Sequence, residues 1–187
     1  MRVNAGSAKG KKLKSRPGKD VRPTSDKVKE AVFNTIGQNQ EGSHFLDLFS
    51  GTGGMGIEAL SRGADSCVFI EKNTECVKII YENLKITGLS HRARVIKTDV
   101  FRGLAKLQGE NQRFDFIYMD PPYFKNFYVP VIEAISERGL LKKDGVLIVE
   151  HFKNIIFPEK VFELEQGKIK KYGDTVITYY FIKEGIL

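Results

Sequence analysis

The sequence predicts an α/β fold in which a mostly parallel sheet carries helices on both faces. Three observations point there. Short apolar runs bounded by turn residues alternate five times with helix-compatible segments, the pattern of a sheet wound by crossover connections. Two alternating segments, 162–169 and 176–182, close the chain with no helix between them, which reads as two further strands. A length of 187 residues suits one domain with a substantial core.

The elements follow in order. Ser25 is placed to cap a first helix over 27–36, in which Val28, Ala31, Val32 and Thr35 share a face and Gly37 is the stop. Phe45-Leu46-Asp47-Leu48-Phe49 is a buried strand that runs into glycines. A helical stretch at 57–60 leads to a second strand at 67–70. Thr74 is placed to cap a long helix ending at Thr87, with Val77, Ile80, Tyr81 and Leu84 as its apolar face and Gly88 after it. A weaker third strand (94–97), a short helix (101–107), a fourth strand (114–119), a helix (129–135) and a fifth strand (146–149) complete the alternation. The closing strands turn near Tyr172-Gly173-Asp174, and there is no internal repeat. Residues 1–37 read as a basic arm and helix, and 38–187 as the α/β domain, in one compact unit overall.

Composition removes several classes. Hydrophobic residues are 41% and charged residues 28%, which excludes intrinsic disorder and low-complexity architectures. No apolar run approaches the ~18 residues of a membrane span. The basic N-terminus has no apolar core of a signal peptide, so the chain is expected in the cytoplasm. Cys67 and Cys76 make neither a disulfide scaffold nor a zinc site. His44, His91 and His151 lack metal-ligand spacing, and no metal is expected.

Charge is concentrated at one end. Net charge is +7, and residues 1–29 hold ten basic side chains against Asp20 and Asp26. The rest of the chain is close to neutral. A basic arm beside a neutral body is the footprint of a polyanion binder, the alternative being a solvated tail that aids solubility. Gly6, Gly10 and Gly18 punctuate the arm and suggest either a mobile segment or a small hairpin.

Ligands of such sheets lie beyond the carboxyl ends of the strands, which directs attention to the residues there. After the first strand, Gly51 to Gly56 spells G-x-G-x-x-G, with Glu71 twenty residues past Gly51 at the end of the second strand. That pattern alone fits a dinucleotide as well as S-adenosylmethionine. Asp47 favours the second, because a carboxylate repels a pyrophosphate but attracts a sulfonium and an ammonium. Asp99, after the third strand, is an acceptor for an adenine amino group. After the fourth strand stands Asp120-Pro121-Pro122-Tyr123. Two prolines fix the backbone and remove two N–H donors, so the Asp120 carboxylate and Pro121 carbonyl face a ligand as acceptors. An exocyclic base amine suits them, because accepting its hydrogens favours a pyramidal nitrogen whose lone pair can attack a methyl group. Tyr123 is suited to stack on the base.

These motifs resemble the RsmD family, bacterial methyltransferases of guanine N2 in 16S ribosomal RNA. The resemblance runs through Met1-Arg2-Val3, Lys9-Gly10-Lys11-Lys12-Leu13, Arg22-Pro23-Thr24-Ser25-Asp26, Asp47-Leu48-Phe49-Ser50-Gly51-Thr52-Gly53, Glu58-Ala59-Leu60-Ser61-Arg62-Gly63, Glu71-Lys72, Asp120-Pro121-Pro122-Tyr123, Val149-Glu150-His151 and Lys171-Tyr172-Gly173-Asp174-Thr175. Gly54-Met55-Gly56 departs mildly from the family pattern.

The resemblance implies a Rossmann-like methyltransferase fold, with a mostly parallel seven-stranded sheet, an antiparallel C-terminal strand and helices on both faces. It implies S-adenosylmethionine as cofactor, held by Asp47, Gly51, Gly53, Glu71, Lys72, Asp99 and Val100, and catalysis at Asp120, Pro121, Pro122 and Tyr123. It implies RNA contacts from Arg2, Lys9, Lys11, Lys12, Lys14, Arg16, Arg22 and Lys171. The partner would be small-subunit ribosomal RNA in an assembled or assembling 30S subunit, met by a monomer. Arg22, Thr24 and Ser25 read equally as cofactor-pocket wall, and Lys171 and Tyr172 equally as turn residues. The rival functions are a nicotinamide oxidoreductase, an amino-group methyltransferase of another RNA or of DNA, and a non-catalytic RNA-binding protein. Binding of S-adenosylmethionine against NAD separates the first, and methyl incorporation into RNA excludes the last.

Overall fold

A computed structural model describes residues 1–16, 26–122 and 127–182 of the chain. Arg22, Thr24, Ser25 and Tyr123 lie outside the described residues. The elements in chain order are α1 (Asp26–Ile36), β1 (His44–Leu48), α2 (Gly54–Ser61), β2 (Ser66–Glu71), α3 (Thr74–Thr87), β3 (Ala93–Lys97), α4 (Val100–Gly109), β4 (Phe114–Met119), α5 (Tyr128–Glu137), β5 (Leu141–Phe152), β6 (Lys160–Val161), β7 (Leu164–Tyr172) and β8 (Thr175–Ile182).

The described strands form one eight-stranded sheet in the order β3-β2-β1-β4-β5-β8-β7-β6. Neighbours among β1 to β5 are parallel, while β8 runs against β5, β7 against β8, and β6 against β7. The expected seven strands become eight because Lys160–Val161 pairs with Leu164–Glu165 across a turn in which Phe162 has φ 51°. The expected strand at 162–169 therefore begins at Leu164, and the fifth strand runs twelve residues instead of four. The cap of α3 also differs. Asn73, not Thr74, accepts the Glu75 and Cys76 N–H groups, and Gly88 ends the helix at φ 78°.

Both faces of the sheet are covered. Val28, Val32 and Phe33 of α1, Ile57 and Leu60 of α2, and Ile80 and Leu84 of α3 pack on one face with Phe45, Phe69, Tyr118 and Tyr179. Leu104 and Leu107 of α4 and Val131, Ile132 and Ile135 of α5 pack on the other with Leu46, Ile70, Ile117 and Leu147. Parallel strands covered on both sides read as continuous apolar runs, which is why β1, β2 and β4 are visible in the sequence. Two helices seat directly on β2. A Cβ at Gly56 would come within 2.6 Å of Cys67 Sγ, and one at Gly103 within 2.5 Å of Ile70 Cδ1. No helix among the described residues is long and apolar enough to cross a membrane.

The basic N-terminal segment is a folded hairpin over residues 1–13. Val3 N donates to Lys11 O, Gly10 N to Val3 O and Leu13 N to Met1 O, and Arg2 bridges Lys12 in antiparallel fashion. Val3, Ala8 and Leu13 are buried against α1, α2 and α3. A carboxylate anchors the hairpin to α2. Glu58, fully buried, accepts Asn4 N at 2.8 Å and Ala5 N at 3.0 Å. It also pairs with Lys29 at 3.3 Å and Arg62 at 2.9 Å, and the Arg62 guanidinium lies 4.6 Å over the Phe33 ring. Ser61 Oγ accepts Ala8 N and donates to Ala5 O. A Cβ on Gly6 would overlap the Ser61 carbonyl, so this close approach requires glycine.

Candidate functional site

Sheet order shows where a site is expected. Strands β1, β2 and β3 extend one way and β4 and β5 the other, so the winding reverses between β1 and β4. A crevice at the strand carboxyl ends is expected at that reversal. Leu48 pairs with Met119, so the residues after them, Phe49 and Asp120, face each other across the switch point.

Asp47 is buried beneath the glycine turn, and its Oδ2 accepts the Gly56 N–H at 2.9 Å. Burial raises its carboxyl to about 7, the Gly56 N–H opposes the rise, and the Glu71 charge adds to it. Phe49, Gly51 and Gly53 take positive φ of 55°, 53° and 82°, and Ser50 Oγ donates to the Asp47 carbonyl. Glu71 spans the turn. Its Oε2 accepts Gly51 N at 2.9 Å and its Oε1 accepts Asn73 N at 2.8 Å. Lys72 is exposed beside it, and Val100 is buried at the start of α4. Asp99 caps α4, with Oδ1 accepting Arg102 N at 3.1 Å.

Asp120 is half-buried, Pro121 buried and Pro122 exposed. Burial, then the neighbouring Glu150 and Asp47 carboxylates, holds the Asp120 carboxyl well above the usual range. Glu150 is itself buried on β5 and accepts the Tyr118 hydroxyl. Three carboxyl groups therefore crowd one edge, an arrangement that favours a cationic ligand.

Several residues of this region have no role in the sequence reading. Glu150 enters it only through the resemblance. Phe49 and Phe101 flank Phe127, with ring centroids 5.7 and 6.3 Å from it, and the three pack against the core on the α4 and α5 face of the sheet. Position is the available signal, since Phe49 stands just past the end of β1 and Phe101 in the first turn of the helix after β3.

The basic residues divide. Arg2, Lys9, Lys11, Lys12, Lys14, Arg16 and Lys171 are exposed. Lys11 Nζ donates to Ile86 O and Thr87 O at the end of α3, and Lys14 pairs with Glu82 at 2.9 Å. Lys29, counted in the basic arm from sequence, is fully buried and donates to Arg2 O at 2.5 Å, so it contributes structure instead of surface charge. Because Tyr172 pairs with Thr175 and Thr175 with Phe152 at the end of β5, Lys171 lies at the same carboxyl edge as Asp120.

Comparison with known proteins bears directly on this arrangement. The family model described as Conserved hypothetical protein 95 matches residues 1–181. The chain belongs to this family. Relatives of the chain include YlbH of Bacillus subtilis (strain 168), provisionally named an rRNA methyltransferase, at 39% identity over 180 residues, covering 96% of this chain and 98% of that protein. Another is Ribosomal RNA small subunit methyltransferase D of Haemophilus influenzae, 33% identical over 162 residues, covering 85% and 83%. The resemblance to the RsmD family drawn from the motifs therefore stands. A solved protein of Thermus thermophilus has a TM-score of 0.83 at 28% identity, covering 96% of this chain and 98% of that one. SMU.776, provisionally named a methyltransferase and solved with SAH, shares the fold at a TM-score of 0.67 and 17% identity, over 86% of this chain and 50% of that one. The family fold is thus a methyltransferase fold, mostly parallel with antiparallel C-terminal strands.

Proposed function

We propose that this chain transfers a methyl group from S-adenosylmethionine to the exocyclic N2 of a guanine in small-subunit ribosomal RNA. The substrate is the assembled or assembling 30S subunit, met by a cytoplasmic monomer. The observation that carries the reading is the Asp120-Pro121-Pro122 corner opposite Phe49 at the switch point, one strand from the buried Asp47. The relatives named as ribosomal RNA small subunit methyltransferases support the RNA and the subunit.

The residues present fit the cofactor. Gly51 and Gly53 are left-handed, and a Cβ at Gly53 would press within 3.3 Å of Ile57 and Ile80. Asp47 is a buried carboxylate with a raised pKa, which a cation relieves. Asp47, Gly51 and Gly53 would hold the amino-acid end, Glu71 and Lys72 the ribose, and Asp99 and Val100 the adenine. Glu71 accepts two backbone N–H groups and Asp99 one, and each carboxylate keeps lone pairs for a ligand. When bound, S-adenosylmethionine supplies an electrophilic methyl on a positively charged sulfur.

Asp120 and the Pro121 carbonyl accept the two amine hydrogens and hold the nitrogen lone pair toward the methyl. As the N–C bond forms and the C–S bond breaks, the nitrogen becomes acidic and one proton passes to Asp120 and on to water. Asp120 takes that proton in its ionised form, which the neighbouring cationic donor would favour, and burial with the Glu150 and Asp47 charges makes that carboxylate a stronger base than an exposed one. Tyr123 stacks on a base withdrawn from its helix. Arg2, Lys9, Lys11, Lys12, Lys14, Arg16, Arg22 and Lys171 contact phosphates.

The test is incubation with labelled S-adenosylmethionine and 30S subunits lacking the modification, with naked 16S RNA in parallel, followed by mapping of the labelled base. Label on a guanine N2 in subunits is the expected result; label elsewhere, or none, removes the reading.

Asp47 predicts a pH dependence. With its carboxyl near 7 in the free protein, binding of a cation must first displace a proton below that pH. Affinity for S-adenosylmethionine should rise about tenfold per unit from about pH 5.5 toward 7 and level off above it. Calorimetry in buffers of different ionisation enthalpy reads the released proton. The stability sign runs the other way. A raised carboxyl stabilises the fold below its unfolded value near 4, and this contribution is lost as pH rises through about 7, amounting to on the order of 4 kcal/mol at most. Asp47→Asn should remove both dependences.

A further inference from the structure

The glycine turn and the basic hairpin are separate in sequence, yet one buried side chain joins them. Asn83, in the middle of α3, is fully buried. Its Oδ1 accepts Lys14 N at 2.7 Å, and its Nδ2 donates to Lys14 O at 3.0 Å and to Thr52 O at 3.0 Å. Thr52 lies between Gly51 and Gly53. Lys14 follows Leu13, which pairs with Met1 across the hairpin. Met1 closes a second contact, since a Cβ on Gly54 would lie 2.6 Å from Met1 Sδ. The hairpin therefore leans on the glycine turn at both of its ends.

A primary amide serves this geometry in a way few side chains do. It offers one acceptor and two donors in a plane, and here it satisfies one N–H and two carbonyls of two segments at once. Leaving these groups unpaired in a buried place is costly, so the two segments cannot shift independently without breaking the set.

We propose that Asn83 is a positioning residue that couples the glycine turn to the basic hairpin, so that cofactor binding and polyanion binding reinforce each other. The inference rests on the reading that the glycine turn holds S-adenosylmethionine. A ligand that fixes Thr52 fixes Lys14 through one side chain, and by linkage an anion that fixes the hairpin tightens the cofactor site by the same factor.

Two measurements test it. In the wild-type protein, saturation with S-adenosylmethionine should slow hydrogen exchange of the Lys14 amide at least about fivefold, the lower range of such coupling. In Asn83→Leu, similar in size but unable to bond, S-adenosylmethionine should bind at least about fivefold more weakly by calorimetry, with the ligand-dependent protection at Lys14 gone. A merely structural Asn83 would lower the melting temperature and leave cofactor affinity unchanged. Unchanged Lys14 exchange in wild-type protein that binds the cofactor overturns the coupling, and needs no variant to fold. Wild-type protein that does not bind S-adenosylmethionine overturns the cofactor reading instead.

Discussion

Asp120→Asn is expected to cut methyl transfer by roughly 10²–10⁴-fold, the range for losing a positioned acceptor in the transition state. The substitution keeps the shape of the side chain. It replaces one acceptor oxygen with an NH2 that points hydrogens at the hydrogens of the incoming amine. Binding of S-adenosylmethionine should be largely retained, because the proposed cofactor contacts lie on other strands and Asp47 and Glu150 keep carboxylates at that edge. The same variant should melt higher than the wild type at neutral pH. Asp120 is held well above the usual carboxyl range by burial and by Glu150 and Asp47, so ionising it in the fold costs free energy that asparagine does not incur. A variant that keeps full activity would remove Asp120 from the mechanism. Higher stability with lost turnover is the signature of a group kept for chemistry.

Glu58→Ala is expected to be among the most destabilising single changes in the chain. The carboxylate takes two hairpin N–H groups and pairs with Lys29 and Arg62, all in a place closed to water. Removing one member of a buried charge cluster costs about 3–5 kcal/mol, chiefly because the remaining charges stay buried. For a chain of this size that corresponds to a fall of roughly 6–20 °C in melting temperature. Glu58→Gln keeps an acceptor for one hairpin N–H and should cost less. Lys29 retains Asp26 at 3.3 Å and the Arg2 carbonyl, which limits the loss. Amide exchange should accelerate first at Asn4 and Ala5. A melting temperature within about 2 °C of wild type, less than about 1 kcal/mol on this scale, would show that the cluster contributes specificity and not stability.

Local pattern carries much of the fold. Strands β1, β2 and β4 appear as apolar runs because both of their faces are covered, β3 at the sheet edge shows only weakly, and the helix over 74–87 appears because Val77, Ile80 and Leu84 recur at helical spacing. Residues at strand ends, Asp47, Gly51, Glu71, Asp99 and Asp120, are found by a rule about sheet edges that needs no side-chain partner. Partners remote in sequence are not legible. Glu58 meets Asn4 across 54 residues and Asn83 meets Lys14 across 69, and no periodicity reports such a pairing. Asn83 does leave a trace. It stands three residues after Ile80 and one before Leu84, a polar residue within an apolar stripe. Lys29 misleads for the same reason, since a lysine counted as surface charge is buried only because Glu58 and Asp26 await it. The two-residue strand at Lys160–Val161 is too short to carry an alternation at all.

The seating of α2 and α4 on β2 has a bearing on traffic through the protein. With Gly56 against Cys67 and Phe69, and Gly103 against Ile70, neither helix has slack to slide or lift without opening the interior. In the proposed reaction, exchange of spent donor for fresh would fall to what lies outside those two anchors, the turns and side chains at the rim. Turnover and rigidity are thereby assigned to different parts of the molecule.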